Sequence, residues 1–348
     1  MAKRPENLRL LVVRLGAMGD ILHSLPAVTA LRRTHPEWFI GWAIEPQWRG
    51  LFCAHGCTPG TPNMPLVDAL HTIPAKQWAR SPLSVSTWQD MRRVRRELRG
   101  MHYDLAVDLQ GAVRSAVFAR WARTGEVIGE SQPREFVAKF LFGQRVATHG
   151  VHVIQQSLEV ANAILGEDLP MTLPLLPCDP ESEALAATLQ TPFVLLSPGA
   201  GWGAKRWPAD RYGAVARQLA DAGFRSVINS GPAEEHLARE IVQSSNGAAQ
   251  SLTLDMPGLI AVTRRAALAI AGDTGPLHLA CALGKPVVAI FGPTDPARNG
   301  PFHGPSRVLR HPESVRDHTR RSQPEAGLLT ITPQAVTDAA LSLLREAH

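Results

Sequence analysis

One strand–turn–helix pattern in the second half of the chain limits its fold more than any other feature. The apolar stretch Ala266–Ala271 is followed by the polar turn Gly272–Gly275 and by a second apolar segment that begins at Pro276. This pattern predicts a buried strand, a tight turn and the start of a helix. Because such a turn directs backbone N–H groups and the positive end of a helix dipole at one point, it favours the binding of a phosphate.

A second glycine-rich loop follows another short apolar run. The predicted strand Phe193–Ser197 leads into the sequence Pro198-Gly199-Ala200-Gly201-Trp202-Gly203-Ala204-Lys205-Arg206. Its glycines let a ligand approach the backbone closely, and Lys205 and Arg206 place positive charge beside them. The two loops together predict a clamp for a diphosphate.

Strands and helices alternate in both halves of the chain. In the first half the predicted strands are Leu8–Arg14, Phe39–Ile44, Ala69–Ile73 and Leu105–Asp108, and the predicted helices are Ile21–Thr34, Ser84–Arg99 and Gln155–Leu165. In the second half the strands are Phe193–Ser197, Ser226–Asn229, Ala267–Ala271 and Val287–Phe291, and the helices are Ala209–Ala222, Ala233–Gln243, Met256–Thr263 and Leu277–Leu283. Such alternation predicts an α/β protein with one doubly wound parallel sheet in each half.

Proline spacing predicts where the two halves are joined. Pro170, Pro174 and Pro177 interrupt the chain too often for a regular element, so a linker is predicted over residues 169–180. A length of 348 residues suits two domains. We therefore expect domains over residues 1–168 and 181–332 and a last amphipathic helix over residues 333–348. The segment 292–323, rich in Pro, His and Arg, is predicted to be a loop.

Composition and targeting signals favour a cytoplasmic protein. Hydrophobic residues make up 45% and charged residues 19% of the chain, as in an ordinary globular protein. No apolar stretch is long enough to span a membrane, and no signal peptide precedes the first predicted strand. The four cysteines fit the same compartment. Cys53 and Cys57 flank His55, but two cysteines and one histidine make an incomplete zinc set.

Five motifs in order carry a resemblance to one known family. They are RLGAMGDIL (Arg14–Leu22), YDLAVDLQG (Tyr103–Gly111), PGAGWGAKRWP (Pro198–Pro208), AGDTGPLHLA (Ala271–Ala280) and FGPTDP (Phe291–Pro296). By these motifs the chain resembles the ADP-heptose:lipopolysaccharide heptosyltransferases, the inverting enzymes of glycosyltransferase family 9. The resemblance implies the GT-B fold, in which two Rossmann-like domains face a central cleft. It places acceptor binding on residues 1–168 and nucleotide-sugar binding on residues 181–332, and it leaves open a return of the terminal helix to the first domain.

The resemblance assigns catalytic roles to two charged residues. Asp20, behind Gly16 and Gly19 at the first strand-to-helix turn, matches the family's general base, which deprotonates an acceptor hydroxyl as it attacks the anomeric carbon. A carboxylate at this turn is equally suited to cap the helix that follows. Lys205 would neutralise the charge that develops on the β-phosphate of the departing ADP, although a loop lysine can also be a solvated cation.

The remaining donor contacts are expected on the loops that follow the strands of the second half. Glu235 matches the family's ribose ligand, and the adjacent Glu234 leaves this assignment ambiguous by one residue. Asp273 could instead cap its helix, and His278 could be an ordinary packed histidine. Besides Lys205, the expected donor-binding residues are Gly199, Ala200, Gly201, Glu235, Asp273, Thr274, Gly275 and His278.

Acceptor binding is expected from Gly19, Arg114 and Arg120. The two arginines follow the predicted strand Leu105–Asp108, and guanidinium groups match the carboxylates and phosphates of an inner core of the Kdo–lipid A type. The arginines of Arg92–Arg99 are better explained as a solvated helix face. The net charge of +5 suits peripheral docking at the cytoplasmic face of an anionic inner membrane. No interleaved aromatic pattern indicates a nucleic-acid partner.

The sequence therefore predicts a metal-independent glycosyltransferase with ADP-heptose as its donor substrate. No Asp-x-Asp metal motif lies in a suitable loop, and no cofactor is expected. Two alternatives stay open: a nucleotide-sugar binding module without turnover, and a sugar-nucleotide epimerase of similar two-domain shape. The sequence does not identify the accepting core sugar or prove that heptose is the sugar transferred.

Overall fold

The computed structural model describes residues 4–231, 234–317, 319 and 321–346. The chain divides into two compact units between Pro177 and Cys178. This boundary lies inside the predicted linker over residues 169–180. Each unit contains a six-stranded sheet flanked by helices.

The first unit is built around a parallel sheet with the strand order β3-β2-β1-β4-β5-β6. Its strands are β1 (Arg9–Val13), β2 (Phe39–Ile44), β3 (Ala69–Thr72), β4 (Leu105–Asp108), β5 (Glu126–Glu130) and β6 (Gln144–Val146). Its helices are α1 (Met18–Thr34), α2 (Ala75–Arg80), α3 (Val85–Gly100), α4 (Val113–Trp121) and α5 (Val153–Leu165), with 3₁₀ turns at Pro46–Leu51 and Phe136–Leu141. Because β1 and β4 pair in parallel, the turns that follow them lie side by side.

The second unit repeats this plan with the strand order β12-β11-β10-β7-β8-β9. Its strands are β7 (Phe193–Ser197), β8 (Arg225–Ser230), β9 (Ala249–Thr253), β10 (Leu268–Gly272), β11 (Val287–Phe291) and β12 (Ser306–Arg310). Its helices are α6 (Pro180–Ala187), α7 (Ala209–Asp221), α8 (Glu235–Ser244), α9 (Met256–Arg265), α10 (Gly275–Ala282), α11 (Pro296–Asn299), α12 (Ala326–Thr330) and α13 (Pro333–Glu346). A 3₁₀ turn spans Gly203–Lys205.

The central strands are continuous apolar runs because helices cover both faces of the sheet. Every residue of β7 and of β11 is buried. The amphipathic helices α7 and α13 bury Tyr212, Leu219, Val336 and Leu343 in the same core. Burying a large apolar side chain stabilises the fold by about 1.5–3 kcal/mol, so these contacts fix the positions of the loops at the strand ends.

The segment that follows β11 differs from the sequence-based expectation. The segment 292–323 was predicted to be a loop, but it contains β12, which pairs in parallel with β11. β12 mixes polar with apolar residues and is only partly buried, as suits an edge strand, so it contains no continuous apolar run. The terminal helix α13 buries Val336, Ala340 and Leu344 in the core of the second unit.

Cys53 and Cys57 form a disulfide bond in the first unit. This bond is not indicated by the sequence pattern, in which the two cysteines and His55 make an incomplete zinc set and all four cysteines fit a cytoplasmic protein. In the described ranges, no three His, Cys, Asp or Glu side chains are grouped so that they could hold a metal ion. None of the helices found there combines the length and the apolar composition that crossing a bilayer requires.

Candidate functional site

Asp20 lies in the first turn of α1, directly after the turn that follows β1. Ala17 is the N-cap of this helix, so Asp20 occupies the third helical position and not the cap itself. Its Oδ2 accepts a hydrogen bond from the Ala17 amide at 3.1 Å, and its Oδ1 lies 3.3 Å from the Arg14 guanidinium. The Asp20 side chain is 43% exposed. The carboxylate thus stabilises the helix start and remains open to a ligand.

The turn after β4 supports the turn that carries Asp20. Asp108 Oδ1 accepts hydrogen bonds from the amides of Gln110 and Gly111 at 2.7 and 2.8 Å. Gln110 Oε1 in turn accepts from the Leu15 amide at 2.8 Å. Burial raises the pKa of Asp108 to about 6, although its hydrogen bonds with these amides oppose the shift. The turns after β1 and β4 are therefore joined by hydrogen bonds at the carboxyl ends of these two strands.

Sequence reasoning assigned no role to Arg14, Asp108 or Gln110, although all three lie in the motifs of the resemblance. Arg14 pairs with Asp20 and also donates to the Leu109 carbonyl. Their positions could have identified them as candidates, because all three end or follow central strands, where buried polar side chains are uncommon. In the structure Arg14 contacts Asp20 directly, whereas Asp108 and Gln110 support the turn that precedes it.

The structure separates the two acceptor arginines. Arg114 is exposed in the first turn of α4, and Gly19 is the second residue of α1, so both lie at the same sheet edge as Asp20. Arg120 lies six residues further along α4, about 9 Å along the helix axis, and its Nε donates to the Leu141 carbonyl at 2.7 Å. Arg120 is therefore not brought to Asp20. Helix α4 is absent from the predicted elements, so the separation of Arg114 and Arg120 at its opposite ends is a finding of the structure.

Four of the five arginines of α3 lie exposed on its outer face, in line with the charge pattern. The inner face of this helix contributes Val94 and Leu98 to the core. The exposed arginines are Arg92, Arg93, Arg95 and Arg96.

In the second unit, the glycine-rich loop and the Asp273 turn are neighbours because β7 and β10 are adjacent. Lys205 Nζ lies 2.5 Å from Asp273 Oδ2 and 4.8 Å from the centroid of the Trp202 ring. The side chain of Lys205 is 17% exposed and that of Asp273 only 5%. The predicted clamp therefore contains a largely buried ion pair, which the sequence analysis did not anticipate.

Asp273 also binds His278, whose Nε2 lies 3.1 Å from its Oδ1. Burial would raise the pKa of Asp273, but the hydrogen bonds and charges of His278 and Lys205 outweigh it and hold this pKa well below its usual range. The N-cap of α10 is Thr274 and its first helical residue is Gly275. Asp273 is therefore not the helix cap, and the helix N-terminus stands beside the ion pair, where it suits an anion.

Glu234, and not Glu235, lies against the glycine-rich loop. A β-carbon at Gly199 would collide with the Glu234 carboxylate, so the missing side chain of Gly199 permits this approach. Glu235 is the first residue of α8 and is exposed. Ala200 is half-buried, and a β-carbon at Gly201 would meet nothing within 4 Å. Of the two adjacent glutamates, Glu234 is the one whose carboxylate contacts the position of Gly199, and the role of Glu235 as the ribose ligand stays a prediction.

Comparison with known proteins decides the family. The family model of glycosyltransferase family 9 (heptosyltransferase) matches residues 91–328. The chain belongs to this family. Lipopolysaccharide heptosyltransferase 1 of Pseudomonas aeruginosa is 26% identical over 305 residues, which cover 86% of this chain and 83% of that protein. Lipopolysaccharide heptosyltransferase 2 of Salmonella typhimurium is 26% identical over 362 residues, which cover 97% and 99%.

Solved structures confirm the expected GT-B fold. The E. coli heptosyltransferase WaaC with ADP matches with a TM-score of 0.79 and 24% identity, covering 97% of this chain and 100% of that one. UDP-GlcNAc 2-epimerase from Methanocaldococcus jannaschii matches with a TM-score of 0.51 and 12% identity, covering 97% and 93%. That likeness concerns the fold alone. Membership of glycosyltransferase family 9 makes this protein a glycosyltransferase. It gives no support to the epimerase alternative.

Proposed function

We propose that this protein transfers heptose from ADP-heptose to the anionic inner core of lipopolysaccharide, with inversion at the anomeric carbon. The cluster of Lys205, Asp273 and His278 beside the glycine-rich loop carries the proposal, because it provides a diphosphate site in a chain of this family. The named relatives are heptosyltransferases of both types, 1 and 2. The proposal makes no choice between the two types of acceptor.

In this proposal the donor binds along the carboxyl ends of β10, β7 and β8. The Thr274 hydroxyl and the Gly275 amide bind the phosphates at the start of α10, and the backbone around Gly201 lies alongside them. Lys205, already held in place by Asp273, needs little reordering when the diphosphate arrives. As the bond from the anomeric carbon to the phosphate oxygen breaks, the ammonium group of Lys205 neutralises the charge that develops on the β-phosphate.

The acceptor reaction belongs to the first unit. Arg114 binds an anionic group of the acceptor core, and Asp20 accepts the proton of the attacking hydroxyl. That oxygen attacks the anomeric carbon from the face opposite ADP, which inverts the configuration. A carboxylate suffices as the base because the proton becomes acidic as the new C–O bond forms. The contacts with Arg14 and Ala17 support this role by fixing the carboxylate's orientation.

Transfer can be tested with purified protein, ADP-heptose and truncated lipid acceptors, with mass spectrometry of the products. We expect ADP and an acceptor heavier by one heptose residue. ADP binding without any product would support the binding-module alternative. Release of free sugar or of an epimer without an acceptor would support the epimerase alternative, and either result would contradict transfer.

Glu234→Gln should weaken ADP binding by about tenfold or more, the scale of a lost hydrogen bond to a charged group. The proposal gives the contact with the nucleotide ribose to Glu234 because its carboxylate lies against Gly199 in the glycine-rich loop. Glu235→Gln is the matched control and should leave the dissociation constant unchanged. Titration calorimetry with ADP measures both. A weakened Glu235→Gln variant beside an unaffected Glu234→Gln variant would restore the sequence-based assignment.

We expect transfer to continue in excess EDTA at the rate measured without it. Lys205, Thr274 and the start of α10 supply the positive charge and the donors that a divalent ion would otherwise supply at a leaving diphosphate. The assay compares initial rates with and without chelator. Loss of activity that returns on adding a divalent ion would overturn the metal-independent mechanism.

The proposed location is the cytoplasmic face of the inner membrane, with no nucleic-acid partner. The net charge of +5 supports attraction to an anionic surface.

A further inference from the structure

The 3₁₀ turn Phe136–Leu141 of the first unit presents an apolar surface that the proposed catalysis does not use. Phe136, Val137 and Phe140 are 64%, 60% and 62% exposed. Scattered exposed apolar side chains need no explanation, but three large ones within five residues form a patch that typically marks an interaction site. These three residues are called the aromatic patch below.

The turn holds its apolar side chains outward because other residues anchor it. Ala138 and Phe142 are buried in the core of the first unit. Phe136 and Phe140 contact each other edge to face, with 6.0 Å between ring centroids. The patch is therefore a fixed surface on an anchored turn.

Cations surround the aromatic patch. Lys139 Nζ lies 3.5 Å from the centroid of the Phe136 ring and 5.4 Å from that of Phe140. The Arg145 guanidinium lies 5.8 Å from the Phe140 ring, and Arg134 is exposed where the chain enters the turn. The surface thus combines aromatic rings with positive charge, a composition typical of sites that bind membrane interfaces.

The aromatic patch adjoins the part of the molecule that is proposed to bind the acceptor. The Glu135 amide donates to the Gly111 carbonyl at 2.8 Å, and Glu135 Oε2 accepts from the Val113 amide at 2.9 Å. Gly111 and Val113 precede Arg114 at the start of α4. The Glu135 carboxylate, which is next to the patch, is therefore hydrogen-bonded to the backbone at the start of α4.

We propose that the aromatic patch docks on an anionic lipid bilayer. Phe136, Val137 and Phe140 enter the headgroup region, and Lys139, Arg145 and Arg134 face the anionic lipids. This inference rests on the proposed function, since an acceptor anchored by acyl chains reaches Arg114 only if this edge of the unit approaches the membrane. Charge complementarity selects a bilayer over a second copy of the chain, because a symmetric dimer through this patch would bring like charges together.

Co-sedimentation with vesicles of phosphatidylcholine and phosphatidylglycerol tests the proposal. The triple variant Phe136→Ser/Val137→Ser/Phe140→Ser should bind these vesicles at least about tenfold more weakly than the wild type. The double variant Lys139→Gln/Arg145→Gln should bind the anionic vesicles at least about tenfold more weakly than the wild type. Wild-type binding should decrease when salt is added and when the vesicles contain only neutral lipid. The controls Val151→Ser and Leu185→Ser remove exposed apolar side chains elsewhere and should bind normally.

An acceptor without acyl chains separates this inference from the proposed function. The triple variant should transfer heptose to that soluble acceptor at the wild-type rate and should lose transfer to an acceptor embedded in vesicles. Equal vesicle binding by the triple variant and the wild type would overturn the docking proposal. So would a wild type that forms dimers in solution and a triple variant that is monomeric but binds vesicles equally well, because the patch would then be an interface between two copies of the chain. A wild type that binds vesicles but transfers heptose to neither acceptor would contradict the proposed function and leave the docking result standing.

Discussion

Replacing Asp20 by alanine should lower the turnover of heptose transfer by about two to four orders of magnitude, the usual range for loss of a general base. The dissociation constant for ADP should stay nearly unchanged, because Asp20 lies on the first unit and the proposed nucleotide site is formed by the second. Steady-state rates and ADP calorimetry on the same preparation measure both quantities.

The matched control for this experiment is Asp20→Asn. An asparagine oxygen can still accept the hydrogen bond of the Ala17 amide, so the variant preserves the helix start while it removes the base. If Asp20 only stabilises the start of α1, Asp20→Ala lowers the free energy of unfolding by about 0.3–1 kcal/mol, the scale for an acidic side chain in the first turn of a helix, and Asp20→Asn stays active. An inactive, stably folded Asp20→Asn supports the base, and wild-type turnover in this variant refutes it.

The central strands could be predicted closely because burial on both faces makes them continuous apolar runs. The predicted and observed bounds of Phe39–Ile44, Leu105–Asp108, Phe193–Ser197 and Val287–Phe291 agree. Edge and near-edge strands were missed, among them β6 and β12, because their side chains are partly exposed and therefore mixed in polarity. Periodicity contains little information about such short, half-exposed segments.

The candidate residues could be found from their positions after strands, but their partners could not. Lys205 and Asp273 are 68 positions apart in sequence, and they meet only because β7 and β10 are neighbours in the sheet. Similarly, Glu234 contacts the position of Gly199, and Glu235 does so in no described contact, because α8 begins at Glu235. Arg120 lies away from the strand ends because α4, which was not predicted, separates it from Arg114. Each of these outcomes depends on strand order or helix phase, which no single motif encodes.

Replacing Lys205 by alanine should weaken binding of ADP-heptose by about tenfold to a hundredfold, the scale of a charge-assisted hydrogen bond. It should also reduce turnover by about two to three orders of magnitude, as for other groups that stabilise charge in a transition state. The ammonium meets the diphosphate in the ground state and interacts more strongly as charge builds on the departing β-phosphate. Calorimetry with ADP measures the loss of binding to the diphosphate, and initial rates at saturating ADP-heptose measure the loss of turnover.

The ion pair with Asp273 complicates this substitution and also provides its control. Lys205→Ala leaves the Asp273 carboxylate with His278 as its remaining partner among the contacts described above, so an anion beside the diphosphate would add repulsion to the loss of the ammonium. Asp273→Asn removes that repulsion, and a double-mutant cycle isolates the coupling between the two residues. If Lys205 acts on the diphosphate, the double variant Lys205→Ala/Asp273→Asn stays deficient in both binding and turnover. Recovery of the double variant to wild-type values would show that Lys205 serves only to neutralise Asp273.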